Sequence, residues 1–152
     1  MKVSLHIHEK YQEPEVIVCG PENNGQIKEL FALVSDAVNE KITLYEENDA
    51  VRVPCAAILR FYGEKQRVYA QTQDKVYVSR YRLYELEELM KAHQFVRISN
   101  SEIVNLLKVR RLDTSMAGTI RVILYGGIET YVSRRYMSRI RQVLVGGKET
   151  GR

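Results

Sequence analysis

Hydrophobic and polar residues alternate at the start of the chain, with Val3, Leu5 and Ile7 set against Lys2, Ser4, His6 and His8. A period of two predicts a half-buried β-strand. Residues 14–20 (PEVIVCG) are an apolar run bounded by proline and glycine, which predicts a second strand. Ile27, Leu30, Phe31, Val34 and Val38 then fall at helical spacing and predict a helix near residues 24–39. The stretch KITLYEENDAVRVP (residues 41–54) reads as two short strands turning at residues 47–49, because Asn and Asp tolerate turn geometry. The first part of the chain is therefore expected to be a small β-β-α unit whose helix covers a sheet. No Pro/Gly-rich linker separates it from the remainder, so the two are expected to lie close together.

From Val53 onward the pattern is mostly β. Residues 56–79 offer two or three strands with turns at residues 63–64 and 73–74. Residues 80–93 are helical, with Leu83, Leu86, Leu89 and Met90 along one face. FVRIS (residues 95–99) is a strand, and NSEIVNLLKVRRLDT (residues 100–114) passes from polar turn residues into an apolar run. Residues 118–133 form a hairpin tipped by Gly126 and Gly127, a pair that permits positive φ. RRYMSRIRQVL (residues 134–144) is a terminal helix with Tyr136 or Met137, Ile140 and Leu144 inward. Residues 146–152 are expected to fray.

Composition adds bounds. A 152-residue chain with 45% hydrophobic and 28% charged residues can bury a core without metal or disulfide help. No run approaches the roughly 18 apolar residues that would span a bilayer, and MKVSLHIHEK lacks a signal-peptide core. Cys19 and Cys55 form no CxxC pair, so both read as reduced, structural cysteines of a cytoplasmic protein. The net charge of +4 conceals a split: residues 1–50 hold 4 Lys/Arg against 10 Asp/Glu, and residues 51–152 hold 19 against 9. Such asymmetry suits a chain whose second part meets a polyanion. Two solvated surfaces of different charge are the plain alternative.

A repeated motif sharpens the choice. YVSRY (residues 77–81) and YVSRR (residues 131–135) both end predicted strands, and each serine, Ser79 or Ser133, can cap the helix that follows. The first helix then carries Glu85, Glu87 and Glu88, whereas residues 134–143 hold four arginines and no acid. Arg134 and Arg135 oppose the helix dipole at a cost of roughly 0.3–1 kcal/mol. Their placement implies an anionic partner such as DNA phosphate.

In FVRISNSEIVNLLKV (residues 95–109), the apolar positions can make core, leaving Arg97, Ser99, Asn100, Ser101 and Asn105 as a polar set. Asn100 and Asn105 can each hydrogen-bond loop backbone, and Asn100 also suits an adenine edge. Arg110, Arg111 and Arg121 add positive charge; Arg110 and Arg111, adjacent on a strand, should face opposite ways, so at most one meets DNA. His6 and His8 share a strand face but lack a third ligand nearby, so no metal site is expected. Nothing in the spacing of Cys19, His93 and Asp113 builds a nucleophile–base set, so no enzyme is expected. The ten tyrosines read as packing residues, with a stacking platform for single-stranded nucleic acid as the alternative.

FVRISNSEIVNLLKVRRLD, then a hairpin, then YVSRRYMSRIRQVL resembles the LytTR family of bacterial DNA-binding domains, and the upstream residues from Val53 fit the same pattern. The resemblance covers about residues 53–144. It implies a mostly-β fold of small antiparallel sheets side by side with a C-terminal helix. It implies sequence-specific binding of double-stranded DNA through loops in successive major grooves, without a helix-turn-helix; no cofactor is expected. Three regions fall where that family touches DNA: Lys65, Gln66 and Arg67; Ser99, Asn100 and Ser101, with Arg97 beside them; and Arg134 with Arg135. Many members carry a basic residue or histidine where this chain has Ser99 and Asn100, so the family pattern does not specify which bases are read there. The expected organisation is an acidic extension over residues 1–50 serving interaction or dimerisation, a DNA-binding domain over 51–145 and a frayed tail over 146–152. The resulting expectation is a cytoplasmic bacterial transcription regulator, a homodimer on paired sites, with no membrane insertion. A single-stranded nucleic-acid (RNA) binding module is the alternative.

Overall fold

The computed structural model describes residues 1–12, 15–37 and 40–150. Helix α1 (Gly25–Ala37) begins where Asn24 caps it, the Asn24 Oδ1 accepting the Ile27 amide at 3.1 Å. Val38 and Asn39, also expected in this helix, lie outside the described residues. Strands β1 (Lys41–Glu46) and β2 (Asp49–Pro54) form the expected hairpin, with Glu47 at positive φ in its turn. Strands β3 (Ile58–Glu64), β4 (Arg67–Thr72) and β5 (Val76–Ser79) follow. Helix α2 (Leu83–Leu89) comes next, then β6 (Phe95–Ser99), β7 (Glu102–Asn105), β8 (Val109–Asp113), β9 (Ile120–Leu124), β10 (Glu129–Val132) and α3 (Arg134–Thr150).

These strands make two antiparallel sheets, one of seven strands in the order β2-β1-β5-β4-β3-β7-β6 and one of three in the order β10-β9-β8. The larger sheet takes in the β1–β2 hairpin beside the strands that follow it. The boundary expected at residue 50 accordingly falls inside β2. Alternation along the strands divides the core in two. Ile42, Leu44, Val53, Phe61, Ala70 and Ile103 pack with Leu86 and Met90 below α2. Leu59, Ile98 and Val104 pack with the small sheet and with Met137 and Ile140 of α3.

Several local expectations are corrected. The described residues before α1 form no strand, so the small β-β-α unit is not built as expected. Val3, Leu5 and Ile7 are 96%, 84% and 86% exposed. Alternation supplies a face, but a strand also needs a neighbour for its backbone groups, and none pairs here. The turn expected at residues 63–64 lies at Lys65 and Gln66, while Gly63 is inside β3 with its amide donating to the Ser101 carbonyl at 2.8 Å. Leu89 is half exposed because α2 lasts only seven residues and turns away at Met90. Ser79 does not cap α2: its Oγ accepts the Tyr81 amide at 3.1 Å, and Arg82 starts the helix with its amide bound by the Glu85 carboxylate. Arg110 and Arg111 are both exposed, because the β8–β9 register shifts between Val109 and Arg111 and breaks the strand alternation. Helix α3 runs on to Thr150 through the tail expected to fray.

Candidate nucleic-acid interface

Three separate segments are drawn to one end of the molecule. The first is the β3–β4 hairpin, whose Lys65 and Gln66 have φ of 50° and 65°. Glu64 and Arg67 pair across it, so these two residues form the whole loop. Positive φ at both central positions is the turn type whose twist suits a two-residue hairpin. Lys65, Gln66 and Arg67 are all exposed.

The second segment is the turn between β6 and β7. Ser99 Oγ accepts the Ser101 amide at 3.2 Å and lies 3.4 Å from the Ser101 hydroxyl. Arg97 lies against the turn: its Nε donates to the Ser99 carbonyl at 3.0 Å and its Nη2 to the Asn100 carbonyl at 2.6 Å. Its side chain is only 14% exposed. Arg97 is thus committed to the backbone of the turn, whereas Asn100 and Ser101 are exposed.

The third segment is the start of α3. The Ser133 amide donates to the Ile98 carbonyl at 2.9 Å, which fixes the helix origin against β6. Ser133 precedes the helix, and its carbonyl accepts the Tyr136 amide at 2.9 Å; among the described residues its hydroxyl makes no capping bond. The Tyr136 hydroxyl donates to Asn100 Oδ1 at 3.2 Å, so one side-chain bond joins the helix to the turn. Together with the Gly63–Ser101 bond, these contacts connect hairpin, turn and helix in series.

Cations divide by partner. Among the described residues, Arg60 pairs with Glu102, Lys75 with Glu46, Arg121 with Asp113 and Glu129, and both Arg97 and Arg139 with Glu87. Arg80 lies 3.7 Å from the Tyr45 ring centroid. The side chains of Lys65, Arg67, Arg134 and Arg135 have no hydrogen bond or ion pair within the described residues, and all four residues are exposed. Lys108, Arg110, Arg111 and Arg141 are likewise without a partner there. The free positive charge of the hairpin and of α3 therefore flanks a neutral, hydrogen-bonded turn.

Other candidate groups have different surroundings. Asn105 is 1% exposed; its Nδ2 donates to the Ile58 carbonyl at 2.9 Å and its Oδ1 accepts the Leu107 amide at 3.0 Å, so it serves loop backbone. Among the described residues no three His, Cys, Asp or Glu side chains gather as a metal site. Cys19 is exposed and Cys55 buried, and burial pushes the Cys55 thiol up from its ordinary value. Tyr62 stacks with Tyr69 at 5.4 Å and carries the Arg60 guanidinium over its ring at 4.5 Å. No helix among the described residues is long and apolar enough to cross a membrane. The residues that sequence reasoning missed are Tyr136 as a partner of Asn100 and Glu87 as a partner of two arginines. Neither pairing leaves a local sequence signal.

A family model described as the LytTr DNA-binding domain matches residues 48–145. A protein of Staphylococcus aureus (strain MSSA476) named as an HTH-type transcriptional regulator is 32% identical over 146 residues, covering 95% of this chain and 98% of its own length. A like-named protein of Staphylococcus aureus (strain NCTC 8325 / PS 47) is 31% identical over the same shares. A solved LytTr DNA-binding domain from Bacillus cereus has the same fold, with a TM-score of 0.65 and 23% identity over 68% of this chain and 95% of that one. In this chain no two described α-helices are consecutive without a strand between them.

Proposed function

The chain belongs to the LytTR DNA-binding domain family, and on that premise we propose that it is a bacterial transcription regulator that reads double-stranded DNA through loops. The observation that carries this reading is the serial connection of the three segments, with cations unpaired among the described residues at both ends and a hydrogen-bonded turn between them. Lys65, Arg67, Arg134 and Arg135 contact phosphates or guanine edges, while Gln66, Asn100 and Ser101 face bases. Arg97 holds the turn. Asn100, with Oδ1 engaged by Tyr136, offers its amide donors to a base acceptor. The names of the Staphylococcus aureus relatives agree with a regulatory role over the full chain.

In this proposal the three segments enter successive major grooves, and a homodimer on paired sites in the cytoplasm completes it. The alternative, a single-stranded ligand on the tyrosine-bearing sheet, is disfavoured by the tyrosines themselves. Arg60 covers Tyr62, Tyr69 stacks on it, and Arg80 covers Tyr45, so these ring faces are already in use. Footprinting on the DNA upstream of the chain's own gene, followed by competition, tests the proposal. Duplex from the protected region should displace labelled duplex, and its separated strands should not. Equal displacement by a single strand would refute the duplex reading. Sedimentation of the full chain against a variant lacking residues 1–20 tests the dimer; unchanged mass in both excludes those residues from assembly.

A further inference from the structure

The acidic helix that follows the first YVS copy reaches the second. Glu87 of α2 accepts from two guanidinium groups, Arg97 Nη1 on Oε2 at 3.1 Å and Arg139 Nη1 on Oε1 at 2.9 Å. Arg97 continues to the carbonyls of Ser99 and Asn100. Arg139 lies over the Tyr136 ring at 5.4 Å, and the Tyr136 hydroxyl donates to Asn100 Oδ1. The contacts close a ring through Glu87, Arg97, Asn100, Tyr136 and Arg139, drawn from α2, β6, the β6–β7 turn and α3. The other acids of α2 serve their own helix: Glu85 binds the Arg82 amide, and Glu88 pairs with Lys91 in water.

Resting on the duplex reading above, we propose that Glu87 is a positioning residue that sets base discrimination. It does two things. It holds Arg97 on the backbone of the turn, which fixes where Asn100 presents its amide. It also keeps Arg139 from phosphate. Arg139 lies four residues after Arg135, so both occupy one face of α3. Its side chain is 53% exposed against 14% for Arg97. Once released, Arg139 is free to swing towards a phosphate, while Arg97 stays enclosed beside a turn it no longer fixes. A phosphate contact strengthens binding to every sequence alike, and a loosened Asn100 weakens only the cognate one. Glu87 therefore suppresses non-specific binding while supporting specific binding.

The test uses the full chain, the footprinted duplex and the same duplex with one base pair changed, measured by fluorescence anisotropy across a salt series. If the wild-type chain does not prefer the footprinted duplex, the duplex reading fails before Glu87 is in question. Given that preference, Glu87→Gln should reduce it roughly tenfold. It should also steepen the slope of log affinity against log salt by about 0.9, the increment for one added phosphate contact. Adding Arg139→Ala should return the slope to its wild-type value and leave discrimination lost. Arg97→Ala alone should lose discrimination at a wild-type slope, and Arg139→Ala alone should change neither. A merely structural role would weaken all duplexes together with no steeper slope. Retained discrimination in Glu87→Gln, or loss of it without the steeper slope, overturns the proposal. Should Glu87→Gln fail to fold by thermal melt, the two single arginine variants decide it: equal effects of Arg97→Ala and Arg139→Ala on discrimination overturn it.

Discussion

Gln66→Gly separates what the β3–β4 hairpin costs from what it does. Lys65 and Gln66 hold φ of 50° and 65°, a region where a side chain costs roughly 1–2 kcal/mol. Glycine removes that cost at position 66 but gives up roughly 0.5–1 kcal/mol of extra chain entropy on folding. The balance is a stabilisation of roughly 0.5–1 kcal/mol, or about 1–4 °C in Tm for a chain of this size. The same substitution deletes the carboxamide proposed to face DNA, which should weaken the cognate duplex by roughly 0.5–1.5 kcal/mol, the worth of one hydrogen bond. Circular-dichroism melts and anisotropy titrations at one pH and salt measure both effects. Gly126→Ala gives the mirrored control. Gly126 has φ of 88° and a Cβ there would meet Leu59 Cδ1 at an ordinary 3.6 Å, so backbone strain alone should lower Tm. A lower Tm for Gln66→Gly would refute the strain argument. A higher Tm with unchanged affinity would refute the assignment of Gln66 to DNA.

Asn105→Leu leaves the Ile58 carbonyl and the Leu107 amide without their side-chain partner; urea unfolding should record a loss of roughly 2–5 kcal/mol, and a loss below 1 kcal/mol would contradict the role given to Asn105. Arg135→Ala should flatten the salt slope of duplex binding by about 0.9, whereas Arg82→Ala, in the first copy of the motif, should not; equal flattening by both would undo that division of labour. The Ser115 hydroxyl and amide, and then Arg121, hold the Asp113 carboxyl at about 2, below its ordinary 3.8. A depressed value means the ionised form supports the fold above the ordinary value, and this support is lost as pH falls from about 4 towards 2. Melts of wild type and Asp113→Asn should therefore differ at pH 6 and converge near pH 2, and a gap that widens on acidification would contradict the assignment.

Local features of the fold were legible where the signal is local. The β1–β2 turn, the Gly126–Gly127 tip and the faces of α1 up to Val34 and of α3 up to Ile140 follow from turn chemistry and periodicity, Leu144 lying outside the described side chains. Residues 2–9 misled because alternation describes one strand's two faces and says nothing of a partner. Gly63 misled because glycine reads as punctuation. Here it lies within a strand, its amide is bound by Ser101, and a Cβ there would stand 3.4 Å from Leu83 Cδ1. The seven-stranded sheet was not legible, since β1 lies beside β5 and β3 beside β7, neighbours set by packing and not by sequence adjacency. At the interface, residue type and resemblance marked the three segments. They did not distinguish Arg97, committed to the turn, from Arg134 and Arg135, whose side chains have no partner among the described residues. That distinction depends on Glu87, ten residues away in sequence and in another element.

The pairing of β1 with β5 rests on one register pair, Tyr45 with Val78, whereas β1 and β2 share six. The hairpin is attached less through its backbone than through Ile42, Leu44 and Val53, buried at 4%, 0% and 4% exposure, and through Arg80 stacked on Tyr45. Burial of three such side chains supports roughly 5–9 kcal/mol of attachment, far more than one ladder contact. Opening at this seam therefore requires breaking into the core shared with α2. Amide hydrogens of the hairpin should exchange by a large cooperative event together with those around Phe61 and Ala70, and not by fraying from the sheet edge. The far end of the sheet is thereby coupled to α2, the helix that carries Glu87, so the two share a fate when the molecule unfolds in part.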